Sequence, residues 1–211
     1  EARSDRLASA MIYMSDHGES LGQHEAIEHG DLVYGHQVDV PLVFAAPWLP
    51  RGRLFGPATL VDVAPTVLAQ AGLDVPAAMT GVDLTSAVPD DDRPRLTRSA
   101  ALWPVYGWQR GHWKLVADTA TRSLQLFDLR NDPREQNDLA RQRPATRLLM
   151  LRELIAALSD VEDARAEAAL VEGVDAVSEQ ISELGYAQGS ATETGAEDTP
   201  LLRLRGLNRR L

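Results

Sequence analysis

Residues 10–30 read AMIYMSDHGESLGQHEAIEHG, and this stretch predicts both the fold class and the position of a functional site. Its first five residues, 10–14, form an apolar run with the length of a buried β-strand. Asp16 and His17 follow almost at once. In open α/β sheets, ligand-binding groups lie just past the carboxyl ends of the strands. We therefore expect the loop after this strand to carry the site.

The predicted loop is rich in side chains that bind metals or transfer protons. His17, His24 and His29 are three of the five histidines in the chain, and Asp16 adds a carboxylate. Gly18 allows the backbone to turn tightly or to approach a bound group. Taken singly, such residues are more typical of a helix cap and a surface imidazole, but together after a strand they favour a site. The neighbouring glutamates have the alternative interpretation of a solvated face: Glu19, Glu25 and Glu28.

The composition is that of an ordinary globular protein. The 211 residues are 44% hydrophobic and 25% charged, which suits one domain or two small ones. The net charge of −10 argues against a nucleic-acid partner. No apolar run approaches the roughly 20 residues of a membrane span, and no signal peptide is expected at the start. The absence of cysteine excludes disulfides, thiolate catalysis and cysteine-based zinc sites, while the cellular compartment stays open.

Two further elements are predicted in the first part of the chain. Residues 38–46 read VDVPLVFAA and indicate a second buried strand, with Pro41 near its start where a missing donor is tolerated. Residues 60–72 show apolar positions at helical spacing, and Gly72 is placed to end that helix. We interpret this helix as a packing element.

The second part of the chain has a different pattern. Short β-type runs separated by turn residues predict an antiparallel sheet, followed by a long amphipathic helix over residues 145–159. The tryptophans of this region favour a packed core over an aromatic ligand platform. Residues 188–199 are expected to be disordered, and residues 201–211 to be a docking peptide or, preferably, a frayed end. The predicted strands are 99–103, 112–117 and 123–129, and the tryptophans are Trp103, Trp108 and Trp113.

Several separate motifs follow one another along the chain. They read SDHGESLGQH (15–24), VDVPLVFAAPWLPRG (38–52), LVDVAPTVLAQAGLDVP (60–76), GHWKLV (111–116), LFDLRNDPREQNDLA (126–140) and ISELGY (181–186). In this order they resemble the sulfatases of the alkaline phosphatase superfamily. Because the motifs occur in the family's order, they are much more specific together than any one alone. The resemblance covers roughly residues 9–187 and corresponds to the C-terminal half of such an enzyme.

The resemblance implies an α/β fold. Residues 1–95 would form the C-terminal part of the catalytic domain, with a partial alkaline-phosphatase-like, mostly parallel sheet and helices. Residues 96–160 would form a small antiparallel sheet with a helix, and residues 161–211 an acidic helical and partly disordered tail. Without the N-terminal half, the strands 10–14 and 40–46 are expected to expose an apolar side that tends to aggregate.

The resemblance also implies the chemistry of the site, which is hydrolysis of a sulfate ester. Asp16 and His17 match the metal-binding pair, implying Ca²⁺, with another divalent metal as an alternative. His29 is our first candidate for contacting the sulfate or protonating the leaving alkoxide, and His24 is the second. His24 matches the histidine of a family G-E-H stretch, in which Gln23 replaces the usual glutamate.

This chain departs from the family in one essential respect. The nucleophile comes from a C/S-x-P-x-R motif, and the 211 residues contain no such motif. We therefore expect a fragment that is inactive alone, whose partners are a sulfate ester and the missing N-terminal half. One alternative is a phosphodiesterase or phosphonate hydrolase of the same superfamily. Another is a noncatalytic fragment that binds metal or anions.

Overall fold

The computed structural model describes residues 9–86, 89–169 and 198–208. The chain divides into two compact units. Unit 1 comprises Glu1–His29 and Gly35–Arg95, and unit 2 comprises Gly30–Tyr34 and Leu96–Leu211. No helix within the described ranges combines the length and apolar character needed to cross a membrane. The division at residues 95 and 160 that the sequence suggests remains a prediction.

The main sheet of unit 1 has two strands. Strand β1 (Met11–Met14) pairs with β4 (Leu42–Ala45), and their register runs from Met11 opposite Ala45 to Met14 opposite Leu42. Both predicted strands form, although the second is shorter than predicted. The pairing is antiparallel, so the expected mostly parallel sheet is not found among the described residues.

The connection between β1 and β4 explains the antiparallel pairing. Parallel neighbours need a crossover of a dozen or more residues, usually a helix, that returns the chain to the same end of the sheet. Here the connection holds only a small hairpin and one short helix. These are β2 (Ser20–Leu21), β3 (Ile27–Glu28) and α1 (Gly35–Val38). The chain therefore comes back in the opposite direction.

The two strands of this sheet are less buried than their sequence predicts. The side chains of Met11 and Tyr13 are 64% and 62% exposed, and Val43 is exposed as well. On the other side, Ile12, Phe44 and Val67 line an apolar cavity of about 360 Å³ within unit 1. An apolar strand with one side open is the exposure expected for a sheet that lacks part of its covering layer.

Helix α2 (Val63–Gln70) begins from a 3₁₀ turn at Leu60–Asp62. Thr59 and Asp62 form a reciprocal capping box at the start of this turn, which satisfies backbone donors that would otherwise be unpaired. Gly72 has φ +71°, so the predicted C-terminal stop is confirmed. Helix α2 thus ends as its sequence indicates, but its buried residues are Pro65 and Thr66, and the apolar positions Leu60 and Val67 of the predicted packing face are exposed.

Unit 2 contains a four-stranded sheet in sequential order. Its strands are β5 (Arg95–Arg98), β6 (Val105–Arg110), β7 (Trp113–Asp118) and β8 (Ser123–Asp128). The antiparallel pairing of β6 with β7 and of β7 with β8 confirms the predicted type of sheet.

The prediction of a strand at residues 99–103 is wrong. The Ser99 N–H donates to the carbonyl of Val105, and the Val105 N–H donates to the Ser99 hydroxyl. Because these two residues pair with each other, the apolar residues between them form the loop that connects β5 to β6.

The core of unit 2 lies between one face of this sheet and helix α3 (Pro144–Ala169). The sheet contributes Leu115 and Leu126, and the helix contributes Leu151 and Leu154. The predicted helix at 145–159 is therefore confirmed and is longer than predicted. Trp108 is buried in this cluster and donates its Nε1–H to Glu153, which supports a core role over a ligand platform.

A fourth helix, α4 (Pro200–Asn208), closes the same core. Leu201 and Leu204 are buried in it, and the Arg203 guanidinium lies 3.5 Å from the centre of the Trp103 ring. The preferred interpretation of residues 201–211 as a frayed end is thus wrong for 201–208, because their leucines recur at helical spacing and have a core to fill. Most of the segment predicted to be disordered, 188–199, lies outside the described residues.

Candidate functional site

The loop after β1 places Asp16 and His17 side by side at the surface. Nδ1 of His17 lies 2.8 Å from the carbonyl oxygen of Gly18 and donates to it, so in the neutral imidazole Nε2 carries the lone pair. Nε2 lies 3.7 Å from Oδ1 of Asp16. The two side chains are 45% and 80% exposed. An imidazole lone pair and a carboxylate oxygen are therefore both available to a ligand.

His29 comes back to the same place from the far side of the hairpin. Its ring stacks on that of His17, with centroids 3.8 Å apart and planes 17° apart. Its Nδ1 lies 3.1 Å from Oε2 of Glu19. An ionised carboxylate only accepts hydrogen bonds, so Nδ1 carries the proton that bridges the two groups. Of the three histidines that the sequence places in this loop, His17 and His29 thus lie together.

Glu19 is a site residue that the sequence interpretation misses. The sequence interpretation assigns Glu19 to a solvated face. In the structure, Glu19 instead fixes the ring of His29, which lies ten positions further along the chain. No local spacing rule connects residues so far apart in a loop. Only the pairing of β2 with β3, which places Ser20 opposite Glu28, brings them together.

The turn of this hairpin has an uncommon backbone conformation. Gly22 has φ +104°, which suits glycine, but His24 and Glu25 also have positive φ values of +51° and +59°. Residues other than glycine adopt this region rarely and at some energetic cost. The conformation is closed by a hydrogen bond from the Gly22 N–H to the carbonyl of Ala26.

His24 belongs to a different pair of rings. It stacks on His36 with centroids 5.5 Å apart, while His17 stacks on His29. Nε2 of His36 lies 2.8 Å from the hydroxyl of Ser20, and the Gln37 amide donates to the same oxygen. This polar cluster, centred on the buried Ser20, anchors the hairpin. The sequence gives no signal for it, because Ser20 and Gln37 look like ordinary surface residues.

Gly18 is required where it stands because the backbone passes very close to helix α1. Its N–H donates to the carbonyl of Gln37 at 2.8 Å. A Cβ atom at this position would lie 2.1 Å from the carbonyl oxygen of His36, a distance that real Cβ atoms do not reach. The close approach fixes the position of the adjacent His17.

We expect Gly18→Ala to displace the loop and lower the stability of the chain by about 1–3 kcal/mol, because a backbone clash can be relieved only by a backbone shift. Urea unfolding followed by circular dichroism measures this cost. The control is Gly52→Ala, where the added Cβ meets nothing within 4 Å. Equal stability of the two variants would contradict the close approach.

The donor set at Asp16 and His17 fits part of a divalent cation site. The separation of 3.7 Å between their ligand atoms allows one cation to touch both, since metal–ligand distances are about 2.0–2.6 Å. A backbone carbonyl that accepts from the other imidazole nitrogen is the usual support of a metal-binding histidine. The part of the chain that the structure describes contains no cluster of three or more acidic, histidine or cysteine side chains suited to a metal. Further ligands would therefore be needed.

Comparison with known proteins identifies relatives among the sulfatases. The chain is 30% identical over 137 residues to the uncharacterised sulfatase YidJ of Escherichia coli and 29% identical over 147 residues to human arylsulfatase K. These matches cover 61% and 62% of this chain. In each case the chain spans 27% of the relative, about a quarter of its length. No protein-family model matches the chain.

Solved structures with a similar fold include a sulfatase and a phosphonate monoester hydrolase. The sulfatase YidJ of Bacteroides fragilis superposes with a TM-score of 0.61 at 23% identity, over 71% of this chain and 35% of that structure. The phosphonate monoester hydrolase of Agrobacterium radiobacter gives a TM-score of 0.57 at 21% identity, over 72% of this chain and 35% of that structure. The chain therefore has part of an alkaline-phosphatase-like fold, with mixed helices and sheets.

Proposed function

From the similarity of this chain to part of the sulfatases, we propose that it contributes to the hydrolysis of sulfate esters as one portion of such an enzyme. The observation that carries the proposal is the stacked pair of His17 and His29, with Asp16 beside one ring and Glu19 bonded to the other. Two imidazoles between two carboxylates can hold a cation and a transferable proton at neighbouring positions. Both are needed when a sulfate ester is cleaved.

In this proposal Asp16 and His17 hold a divalent cation. The carboxylate and the Nε2 lone pair are the ligands, and the carbonyl of Gly18 keeps the imidazole in the required tautomer. Ca²⁺ is the proposed metal because the resemblance to sulfatases implies it. When bound, the cation would stabilise negative charge on the ester oxygens.

His29 is the proposed proton donor or sulfate-contacting residue. Glu19 occupies its Nδ1–H, so Nε2 is the atom that can hold and release a second proton. With both nitrogens protonated, the imidazole can donate to a departing alkoxide. His24 is the second candidate, since it lies on the same hairpin but stacks on a different ring.

The remaining parts of the site are proposed to lie outside these 211 residues. The chain spans about a quarter of its relatives, and the rest of such an enzyme would supply the nucleophile and the other metal ligands. The same missing portion would add the parallel strands expected beside the open side of β1 and β4. The chain alone is therefore proposed to be inactive.

The test uses the longest natural polypeptide that contains this sequence, assayed for sulfate release from an aryl sulfate. We expect His29→Gln to lower turnover about a hundredfold, because general acid catalysis contributes at least this factor. The control is His112→Gln, which removes the one histidine that lies in unit 2. Unchanged turnover in His29→Gln, with the aryl sulfate hydrolysed normally, would contradict the proposed role.

The same assay separates the alternatives. The fold shared with a phosphonate monoester hydrolase makes this activity the second candidate. Faster turnover of an aryl phosphonate ester than of the aryl sulfate would favour it. Ca²⁺ binding that depends on Asp16, without turnover of either ester, would favour a noncatalytic fragment.

A further inference from the structure

We propose that Val33 and Tyr34 are positioning residues for His29 of the candidate site. Both lie in the segment Gly30–Tyr34, which joins His29 to helix α1. This segment belongs to unit 2, whereas His29 and α1 belong to unit 1. The proposal rests on the role proposed for His29 and names the residues that hold its backbone in place.

Tyr34 is anchored in unit 2 through both its ring and its hydroxyl. The residue is buried, and the edge of one ring meets the other in its contact with Phe127, with centroids 6.0 Å apart and planes 73° apart. The hydroxyl donates to Oε1 of Gln125 at 2.5 Å. Burial raises the pKa of Tyr34, so the hydroxyl keeps its proton and remains a donor. Both partners lie on β8, two positions apart and therefore on the same face of the strand.

Val33 is anchored beside Tyr34 on the face of the sheet that α3 does not cover. A Cβ atom added to Gly107 would come within 3.3 Å of Cγ2 of Val33, so the glycine leaves the room that the valine occupies. Gly107 pairs with Val116 on β7, and Val116 pairs with Gln125 on β8. The two residues of the segment thus cover one row of positions across the sheet, and Val33 is only 1% exposed.

The other end of the segment is held by its backbone. The Ala100 N–H donates to the carbonyl of Gly30 at 2.7 Å. Gly30 has φ +102°, a conformation that suits glycine and few other residues. With both ends fixed, a stretch of five residues has few conformations left. The direction in which the chain enters from His29 and leaves toward α1 is therefore set.

The residue just before the segment is the proposed proton donor. His29 contacts Glu19 through Nδ1 and stacks on the ring of His17. A histidine side chain has only two rotatable bonds, so the position of its Nε2 depends directly on its backbone. The hold on Gly30 therefore acts on the atom that is proposed to transfer the proton.

The residues just after the segment hold the other strand of the hairpin. In α1, the Gln37 side chain donates to the hydroxyl of Ser20, and the Gln37 carbonyl accepts from the Gly18 N–H. Strand β2 is thus tied to α1, while β3 leads through His29 into the segment. The segment joins the supports of the two strands, so its shape sets how they meet.

The first experiment measures amide hydrogen exchange in the longest natural polypeptide that contains this sequence, so it needs no turnover. The reporter is the Gly18 amide, whose bond to the Gln37 carbonyl joins the loop to α1. We expect Tyr34→Phe to speed its exchange about threefold to tenfold, the effect of losing one hydrogen bond. Val33→Ala should speed it about tenfold or more, because buried methyl groups are lost.

The matched control is Leu158→Ala. Leu158 lies in α3 and is buried in the core of unit 2, on the side of the sheet that the segment does not cover. The substitution lowers the stability of the same unit but leaves the anchor of Val33 and Tyr34 in place. The Gly18 amide should therefore keep its wild-type rate of exchange.

The second experiment measures sulfate release from an aryl sulfate by the same variants. We expect Tyr34→Phe to lower kcat about threefold to tenfold and to leave KM nearly unchanged, because a misplaced proton donor fails in the transition state. Gln125→Leu should give the same loss. The double variant should give no further loss, since both substitutions remove one and the same hydrogen bond.

Each outcome decides the proposal. Unchanged Gly18 exchange in both Val33→Ala and Tyr34→Phe would overturn it. Equally fast exchange in Leu158→Ala would overturn it too, because the exchange would then report only the stability of unit 2. Faster exchange with an unchanged kcat would mean that the segment holds the hairpin without positioning His29.

Two features keep the test decisive. Tyr34→Phe retains the aromatic ring, so it carries the test if Val33→Ala fails to fold. A wild-type polypeptide that releases no sulfate would refute the proposed function, whereas the exchange rates would still decide whether the segment holds the hairpin.

Discussion

Replacing Lys114 with methionine is expected to lower the unfolding free energy of unit 2 by about 3–5 kcal/mol. Nζ of Lys114 lies 2.5 Å from Oε1 of Glu135, and the two side chains are only 4% and 3% exposed. Lys114 is the second residue of β7 and lies opposite Phe127, while Glu135 lies in the loop after β8. The substitution takes the Lys114 cation away from a buried carboxylate, which is the costly outcome for such a pair.

Urea unfolding followed by tryptophan fluorescence measures this effect, since three of the four tryptophans lie in unit 2. Glu135→Gln should be similarly destabilising. The double variant Lys114→Met with Glu135→Leu should cost clearly less than the sum, because it removes both charges. The comparison pair is Arg110 and Glu153, where Arg110 is about half exposed. Arg110→Met should lower the unfolding free energy by no more than about 1 kcal/mol. An equally small loss in Lys114→Met would contradict the high cost expected for the buried pair.

Asp62→Ala is expected to lower the unfolding free energy of unit 1 by about 3–5 kcal/mol. The Asp62 side chain is fully buried and accepts two hydrogen bonds from the Arg93 guanidinium, at 2.9 and 2.7 Å. It also accepts from the backbone N–H groups of Val82 and Thr59. Removing it breaks the capping box of the 3₁₀ turn before α2 and takes the carboxylate away from a mostly buried arginine.

The effect of Asp62 should depend on pH. Burial alone would raise the pKa of this carboxyl, but the hydrogen bonds from Arg93, Val82 and Thr59 outweigh burial and hold the pKa below its usual value. A group with a lowered native pKa adds stability above its unfolded pKa, about 3.9 for aspartate, and loses it as the pH falls toward the native pKa. The stability difference between wild type and Asp62→Ala should therefore shrink below about pH 4.

Hydrogen exchange gives a local readout of the same substitution. The Val82 amide donates to Asp62 and should exchange much faster in Asp62→Ala, whereas in Asp74→Ala, an exposed control, it should keep its rate. Protection of Val82 that survives the loss of Asp62 would contradict its role in joining α2 to the segment around residue 82.

The sequence predicts elements well where a single local pattern determines them. Helix α2 and its stop at Gly72, the start of α3 near Pro144 and the strands β7 and β8 follow from spacing and turn residues alone. The prediction fails where tertiary pairing decides. Residues 99–103 have strand composition but bridge two strands, and β1 and β4 pair antiparallel because no long helix connects them.

The candidate site shows the same contrast. Asp16, His17 and His29 can be selected as candidates from their types and their place after a strand. The contacts of each ring cannot be predicted in this way. Glu19, Ser20 and His36 come into these contacts only when the hairpin forms. The turn of this hairpin has positive φ values, and no periodicity in the sequence encodes it. The separation of His24 from the other pair is likewise a property of that turn.

From its loop lengths, we expect the meander β6–β7–β8 to form before the sheet of β1 and β4. Its two connections are very short: Arg110 pairs with Trp113 across two residues, and Asp118 pairs with Ser123 across four. Short loops cost little closure entropy and give low contact order, so these pairings form early on the folding pathway. Strands β1 and β4 must instead close a loop of 27 residues, from 15 to 41, before their first pair forms. During synthesis on the ribosome, the segment that emerges later should thus finish pairing sooner than the one that emerges first.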